Sequence, residues 1–311
     1  MGDSFDVLPG GKGANQALAA AAVAHRYDPY FPVAMVGAVG DDPTTAIALR
    51  ELADEGVDLL AVDRLEDTST GVASITVGSD SDNSIIVVPG ANGLVSADSV
   101  RRHASDVEGA EVVVAQMEVP MDAVEAAAEL TLGRFILNLA PVAPAPAWLL
   151  RRADPLVVNE HEAAAALSIL QQEDMREEIP ILGTDNISAY GPQDSGAPDR
   201  DPEARCALDL LAAGVPSVVI TLGARGCLVA QHGPLTRIPA LSVPAVDTTG
   251  AGDAFVGAMA ARLALGDTLA DACVLATRVS AYSVQHAGAQ PSYPRPGDTL
   301  PGSDIMKGEQ S

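Results

Sequence analysis

The chain has 311 residues, 48% of them hydrophobic, which is enough to bury a sizeable core in one large α/β domain or two smaller ones. Its 42 acidic residues exceed its 18 basic ones, and the net charge of −24 argues against a nucleic-acid partner, because phosphate backbones need a basic surface. We find no signal-peptide pattern and no uninterrupted apolar run of about 18 residues, so we expect a cytoplasmic protein (or also a nuclear one in a eukaryote) without a membrane partner.

A glycine-rich turn near the start, GGKGANQ at residues 10–16, opens onto an alanine-rich helix predicted over residues 17–25. One interpretation is a tight turn that lets this helix pack closely on a sheet. The other is a ligand-binding turn whose N–H groups, Lys12 and Asn15 face a polyhydroxyl compound. A Walker A loop is excluded because Gly13 follows Lys12 and leaves no Ser or Thr for magnesium.

The next predicted elements are a short buried strand over residues 33–37 and a helix capped by Asp41 that runs to about Gly56. Two apolar segments, at residues 70–77 and 84–88, flank the polar turn GSDSDN and predict a β-hairpin. From residue 96 onward, short apolar strands alternate with helices. This alternation predicts βαβ units and a parallel sheet covered on both faces, with strands at residues 111–115, 134–139, 156–158 and 217–222.

Two polar segments interrupt this pattern. Residues 171–201 are acidic and rich in Pro and Gly, which indicates a surface insertion, and residues 294–311 have the composition of a disordered tail. We therefore expect one domain over residues 1–293. The cysteines are few, odd in number and widely spaced, which indicates reduced thiols at Cys206, Cys227 and Cys273.

The stretch VDTTGAGDAF at residues 246–255 leads into a run of small and aliphatic residues that predicts a buried helix over residues 254–265. Gly250 and Gly252 then lie at a helix N-terminus, where unpaired N–H groups and the helix dipole favour an anion. Asp253 either caps this helix or takes a proton from a hydroxyl group that attacks phosphorus.

Further polar clusters follow the predicted strands: QME at 116–118, Asn138, NEHE at 159–162 and TLGARG at 221–226. Ligands of open α/β sheets bind beyond the carboxyl ends of the strands, so this convergence predicts a nucleotide-dependent active site. A zinc site at His161 and Glu162 is excluded, because the second histidine of an HExxH motif would fall on Ala165.

Together these motifs resemble the ribokinase-like (PfkB) family of sugar kinases. The resemblance extends from about residue 10 to 292, and DTTGAGD at 247–253, NLAP at 138–141 and GAQPS at 288–292 carry it together with the clusters above. It implies a Rossmann-like three-layer α/β domain with a small β-sheet lid that includes the hairpin at 70–88. It also implies transfer of the ATP γ-phosphate to the 5-hydroxyl of ribose, and a homodimer formed through the lid.

The resemblance also implies residue roles. Asp253 aligns with the general base of the family, and Gly250, Ala251 and Gly252 align with the anion hole of the family. Sugar contacts align with Gly11, Lys12, Gly13, Ala14, Asn15, Glu118 and Asp253. ATP contacts align with Asn159, Thr221, Leu222, Gly223, Ala224, Arg225, Gly226, Gly252, Asp253 and Thr277, although Thr277 replaces the usual Asn or His and Arg225 is nearly as well explained as a surface residue.

Two ions are implied in addition. Asn159 and Glu162 form an NxxE motif associated with Mg²⁺, to which Glu162 would contribute indirectly. A potassium site, built largely of backbone oxygens, aligns with Asp247, Thr249, Ser283, His286, Gly288 and Ser292.

One departure from the family leaves alternatives open. The family has a strand and an Asn-x-Asp sugar-binding element ahead of its GGKGAN turn, and residues 1–8 cannot supply them. Either the sequence is truncated at its N-terminus, or the protein is an impaired relative that only binds nucleotide. A different sugar, such as fructose or deoxyribose, or a nucleoside, is a further alternative.

Overall fold

The computed structural model describes residues 6–77, 83–177 and 201–302. The helices of these residues are α1 (Lys12–Ala24), α2 (Thr44–Asp54), α3 (Ala97–Arg102), α4 (Ala104–Gly109), α5 (Met121–Leu130), α6 (Ala147–Arg152), α7 (Glu160–Glu177), α8 (Pro202–Ala212), α9 (Ala251–Ala264) and α10 (Leu269–Ser283). The strands are β1 (Gly37–Gly40), β2 (Val62–Leu65), β3 (Val72–Val77), β4 (Asn83–Val88), β5 (Val112–Gln116), β6 (Arg134–Asn138), β7 (Leu156–Asn159), β8 (Val218–Thr221), β9 (Cys227–Ala230) and β10 (Thr236–Ile238).

The central sheet has six strands in the order β10-β9-β8-β7-β6-β5. Strands β5 to β8 are parallel to one another, as the alternating pattern predicts, whereas β9 and β10 add an antiparallel edge. Two small sheets lie apart from it: β1 pairs with β2 in parallel, and β3 pairs with β4 as the antiparallel hairpin. The fold is thus an α/β domain built on a mostly parallel sheet, with a separate β-hairpin, as the motifs imply.

Helices cover both faces of the central sheet because its strands are apolar on both sides. Val157 and Val219 point to the face covered by α1, α9 and α10. Their neighbours Val158 and Ile220 point to the opposite face, which is covered by α5 to α8. This alternation with a period of two gives the three layers.

Helices α1 and α9 cross at very short distance, and small residues make this possible. A Cβ atom on Gly257 of α9 would lie 2.2 Å from the backbone oxygen of Gln16 and 2.8 Å from Cβ of Ala19. Eight of the thirteen alanines of α1 and α9 are buried, and the other five are half-buried. The alanine-rich composition therefore closes the core by backbone approach, and this crossing brings the motif at residues 10–16 against the motif at 247–253.

Several local predictions are wrong. Helix α1 begins at Lys12, so that Lys12 to Gln16 form its first turns and not a loop before it; Gly11 adopts φ 91° just ahead. The first strand is β1 and not residues 33–37, in which only Ala34 forms an isolated bridge. The N–H groups at the start of α2 are held by Asp42 and not by Asp41.

The C-terminal prediction also needs correction, because residues 294–302 are packed and not disordered. Arg295 forms ion pairs with Glu51 at 2.6 Å and Glu55 at 2.7 Å, and Leu300 is buried. The rest of the predicted tail, 303–311, lies outside the described residues, as do residues 178–200 of the predicted insertion. Helix α7 occupies the beginning of that insertion up to Glu177. No helix in the described part of the chain could cross a bilayer.

Candidate active site

A cavity of about 170 Å³ lies where the carboxyl ends of β6, β7 and β8 meet the N-terminus of α9. This is the place at which open α/β sheets bind ligands. It is lined by Lys12, Asn138, Ala140, Val157, Asn159, Glu162, Thr221, Gly250, Gly252, Asp253 and Val256. Five motifs that lie far apart in the sequence thus converge on one cavity.

The carboxylate of Asp253 is buried, and hydrogen bonds from two side chains of α1 orient it. Its side chain is 7% exposed. Its Oδ2 accepts a hydrogen bond from Nδ2 of Asn15 and its Oδ1 accepts one from Nε2 of Gln16, both at 2.9 Å. No side-chain cap is formed at the start of α9, and no basic side chain of the described residues forms an ion pair with Asp253. The carboxylate is therefore available to an incoming hydroxyl group.

The turn before α9 has the shape of an anion-binding turn. Gly250 adopts φ 74°, a left-handed conformation, and its carbonyl oxygen accepts a hydrogen bond from the hydroxyl of Tyr293 at 2.9 Å. Gly250 and Gly252 line the cavity at the positive end of the helix dipole. The N–H group of Ala251 donates to the carbonyl oxygen of Thr248 at 3.2 Å, so this third predicted donor closes the turn.

The residues predicted for sugar binding form the first turns of α1 and its surroundings. Lys12 lines the cavity, and its N–H group donates to Oε2 of Glu118 at 2.8 Å. Asn15 contacts Asp253, whereas Ala14 packs against the core. Gly11 and Gly13 bring the backbone to this edge; a Cβ atom on Gly13 would lie 3.2 Å from Oε1 of Gln116.

The NxxE motif forms a reciprocal cap at the start of α7. The N–H group of Asn159 donates to Oε2 of Glu162 at 2.8 Å, and the N–H group of Glu162 donates to Oδ1 of Asn159 at 2.9 Å. Burial raises the pKa of Glu162, although the hydrogen bond from Asn159 and the charge of Lys12 oppose this effect. The motif thus has a structural role, and it also presents Glu162 to the cavity.

The donor set fits Mg²⁺ only together with a phosphate ligand. No group of three or more His, Cys, Asp or Glu side chains suited to a metal occurs in the described ranges. Mg²⁺ keeps water and is commonly held by one or two carboxylates plus substrate phosphates. Glu162, half-buried at the rim of the cavity, is compatible with that arrangement.

The residues predicted for ATP binding extend from the cavity along the end of β8. Thr221 lines the cavity, Leu222 is buried, and a short 3₁₀ turn spans Gly223–Arg225. Ala224 lies exposed within that turn, and Gly226 follows it with φ 91°. Arg225 pairs with Glu160 and with Glu203, so its guanidinium is already engaged by carboxylates. Thr277 is buried on α10 and donates to the backbone oxygen of Cys273 at 2.9 Å.

The two loops predicted to bind potassium lie together. Asp247 accepts hydrogen bonds from the N–H groups of Thr249 at 2.9 Å and Gly288 at 2.8 Å. Partial burial opposes a charge on Asp247, but these hydrogen bonds lower its pKa overall. The hydroxyls of Ser283 and Ser292 donate to backbone oxygens of Ser280 and Ala289, and His286 stacks on Tyr282. Asp247 thus joins the two loops by hydrogen bonds, and its carboxylate is the acidic group between them.

Four residues at this site were not assigned a role from the sequence. Gln16, Gln116 and Gln290 join Asn15 and Asp253 in a buried hydrogen-bond network, and Tyr293 supports Gly250. Burial, together with the nearby charge of Asp253, raises the pKa of Tyr293 well above its usual range. The glutamines at 16 and 290, each next to small apolar residues, were a sequence signal for buried polar side chains. Nothing in the sequence singles out Tyr293.

Comparisons with known proteins agree with this geometry. The profile described as "pfkB family carbohydrate kinase" matches residues 2–296. A ribokinase of Schizosaccharomyces pombe is 35% identical over 94% of this chain and 85% of its own length. A deoxyribokinase of Salmonella typhimurium is 33% identical over 94% of this chain and 86% of its own length. The structure of Arabidopsis thaliana ribokinase complexed with ribose and ATP superposes with a TM-score of 0.77, at 26% identity, over 94% of this chain and 87% of that one.

Proposed function

The chain belongs to the pfkB family of carbohydrate kinases, and from that premise we propose that it transfers the γ-phosphate of ATP to the 5-hydroxyl of D-ribose. The observation that carries the proposal is the buried carboxylate of Asp253 in the first turn of α9, which forms no ion pair among the described residues and lines the same cavity as Lys12. The similarity to ribokinases supports ribose as the sugar.

In this mechanism Asp253 accepts the proton of the 5-hydroxyl as that oxygen attacks the γ-phosphorus. The N–H groups of Gly250 and Gly252 and the dipole of α9 stabilise the charge on the phosphoryl group in transfer. Lys12, Asn15 and Glu118 hold the sugar, and Asn159, Thr221 and the turn at 223–226 hold ATP. Glu162 would hold Mg²⁺ together with the nucleotide phosphates, where the ion would neutralise phosphate charge.

We further propose a potassium site between the loops at 247–249 and 283–292. The hydrogen bonds of Asp247 with the N–H groups of Thr249 and Gly288, which hold the two loops together, support this proposal. Potassium would stabilise the turn that precedes α9. We place the reaction in the cytoplasm, or also the nucleus in a eukaryote, where ATP is abundant; the free thiols of Cys206, Cys227 and Cys273 are compatible with that location.

We propose that the protein forms a homodimer through the hairpin β3–β4. Large apolar side chains are exposed on this ribbon, among them Ile86 at 68% and Val87 at 65%. An exposed apolar surface of this kind is typical of an interface between protein chains.

The direct experiment is a coupled ADP-release assay with the wild type and Asp253→Asn. We expect turnover with ribose, a higher rate in KCl than in NaCl, and a loss of at least about 100-fold in kcat for the variant, since general-base catalysis contributes on that scale. The variant Asp209→Asn, on the exposed face of α8, is the matched control. Full turnover by Asp253→Asn would refute the mechanism.

A second substrate is supported by the deoxyribokinase similarity. The same assay with 2-deoxyribose, fructose and nucleosides, compared through kcat/KM, identifies the sugar. ATP binding by calorimetry without turnover of any of these compounds would favour the alternative of a protein that only binds nucleotide.

A further inference from the structure

A network of buried amide side chains surrounds Asp253. Nε2 of Gln16 donates to Oδ1 of Asp253 at 2.9 Å and to Oδ1 of Asn138 at 3.0 Å, and Oε1 of Gln16 accepts from Nε2 of Gln116 at 2.6 Å. On the other side, Asn15 donates to Oδ2 of Asp253 and accepts from Nε2 of Gln290 at 3.1 Å. Asn15, Gln16, Asn138 and Gln290 are each at most 8% exposed.

The carboxylate of Asp253 determines which way each amide faces. A carboxylate only accepts hydrogen bonds, so Asn15 and Gln16 must turn their NH₂ groups towards Asp253. Their oxygens then face outward and require donors, which Gln290 and Gln116 supply. Oε1 of Gln290 has no hydrogen-bond partner among the described residues. Gln290 therefore turns its NH₂ group towards Asn15 because Asn15 must turn its own NH₂ group towards Asp253. This orientation gives the oxygen of Gln290 no hydrogen bond of its own among the described residues.

Gln16 holds the central position of this network. Both hydrogens of its NH₂ group are committed, one to Asp253 on α9 and one to Asn138 at the end of β6, and Gln116 at the end of β5 fixes its oxygen. No hydrogen of this amide remains for a substrate. Gln16 therefore acts on a substrate only through Asp253.

We propose that Gln16 is a positioning residue that sets the rotation of the Asp253 carboxylate for proton transfer. With one amide hydrogen bond on each oxygen, the carboxylate keeps its remaining lone pairs for an incoming hydroxyl group. The amides restrict its rotation, and a misplacement of about 1 Å at a reacting group can cost about 100-fold in rate. This inference rests on the proposed function.

The test is a double-mutant cycle of Gln16→Met and Asp253→Asn, with kcat and KM measured in the coupled ADP-release assay. We expect Gln16→Met to lower kcat by about 10- to 100-fold, with KM for ATP changed by less than about twofold. In the Asp253→Asn background the same change is expected to cost less than about threefold, because residues that act as a unit are not additive. Gln172→Met, at an exposed glutamine on α7, is the matched control and keeps wild-type kinetics.

Equal losses from Gln16→Met in both backgrounds would overturn the role of Gln16 and leave the proposed function intact. Full activity of Asp253→Asn would instead overturn the proposed function. If Gln16→Met does not fold, Gln116→Met removes only the outer anchor of Gln16, and we expect about a 3- to 10-fold loss in kcat at unchanged KM for ATP. An unchanged kcat in that variant would also overturn the inference.

Discussion

Gly250 shows how closely one residue is constrained at this site. Its φ of 74° is a conformation that disfavours a side chain, and a Cβ atom would lie 2.6 Å from Cβ of Ala289 and 2.8 Å from the hydroxyl oxygen of Tyr293. Gly252, two residues on, has open space around the same position. The two glycines of the GAG sequence therefore serve different purposes.

We predict that Gly250→Ala lowers the free energy of unfolding by at least about 2 kcal/mol, from the left-handed backbone and the overlap together. It also lowers kcat, because the turn must move. Gly252→Ala is the matched control, with a change in stability within about 0.5 kcal/mol. Urea unfolding of both variants measures the difference, and equal stabilities would contradict this account of the turn.

At this scale the sequence predicted which residues meet at the cavity better than it predicted how they interact. The choice between a capping and a catalytic Asp253 was open from the motif alone, because Asp is common at helix starts. The structure shows its oxygens bonded to Asn15 and Gln16 from another helix. That contact depends on the α1–α9 crossing, which no local pattern encodes.

The base of the hairpin β3–β4 is anchored by the segment between β1 and α2. Asp42 accepts hydrogen bonds from the hydroxyl and N–H group of Thr44, from the N–H group of Thr45 and from the N–H group of Thr70 just before β3. Thr45 and Thr70 are also joined through their hydroxyls at 2.9 Å. The hydrogen bond from the Thr44 hydroxyl, followed by that from the Thr70 N–H group, lowers the pKa of Asp42 from 3.8 to about 2.

We predict that Asp42→Asn loosens the base of this hairpin. We expect the backbone amides of residues 68–72 to exchange their hydrogens faster. We also expect a higher KM for the sugar and an unchanged KM for ATP. Since the folded pKa of Asp42 lies below its unfolded value, its stabilisation is present above about pH 4 and is lost as the pH falls through about 2. The difference in Tm between wild type and Asp42→Asn should therefore shrink over that range. Asp41→Asn, at the exposed neighbouring acid, is the control; a similar effect there would contradict the prediction.

The order of helices and strands from residue 96 onward followed from the alternation of apolar segments, since buried parallel strands are uniformly apolar. The errors arose where side chains from distant elements decide the local structure. Helix α1 starts five residues before the predicted position because Glu118 accepts a hydrogen bond from the backbone N–H group of Lys12. Residues 294–302 are ordered because Arg295 pairs with Glu51 and Glu55 at the C-terminal end of α2. Neither partner is visible in a local window of sequence.

At the scale of the whole molecule, the hairpin exposes five large apolar side chains, those of Val72, Ile75, Ile86, Val87 and Val88, and a dimer through it is testable. We predict that Ile86→Lys yields a monomer in sedimentation velocity at concentrations where the wild type is a dimer, because the charge would be buried unpaired in the interface. Leu60→Lys, at a leucine that is 90% exposed elsewhere on the surface, is the matched control and should remain dimeric. A dimer of Ile86→Lys would place the interface elsewhere.

The crossing of α1 with α9 has a consequence for synthesis of the protein. Asn15 and Asp253 are 238 positions apart, so a nascent chain on the ribosome carries α1 with its alanine face exposed until α9 and α10 have emerged. Contacts of such separation are slow to form and leave apolar surface open to chaperones in the meantime. Prematurely terminated products that stop before α9 would contain all six strands of the central sheet and still lack Asp253.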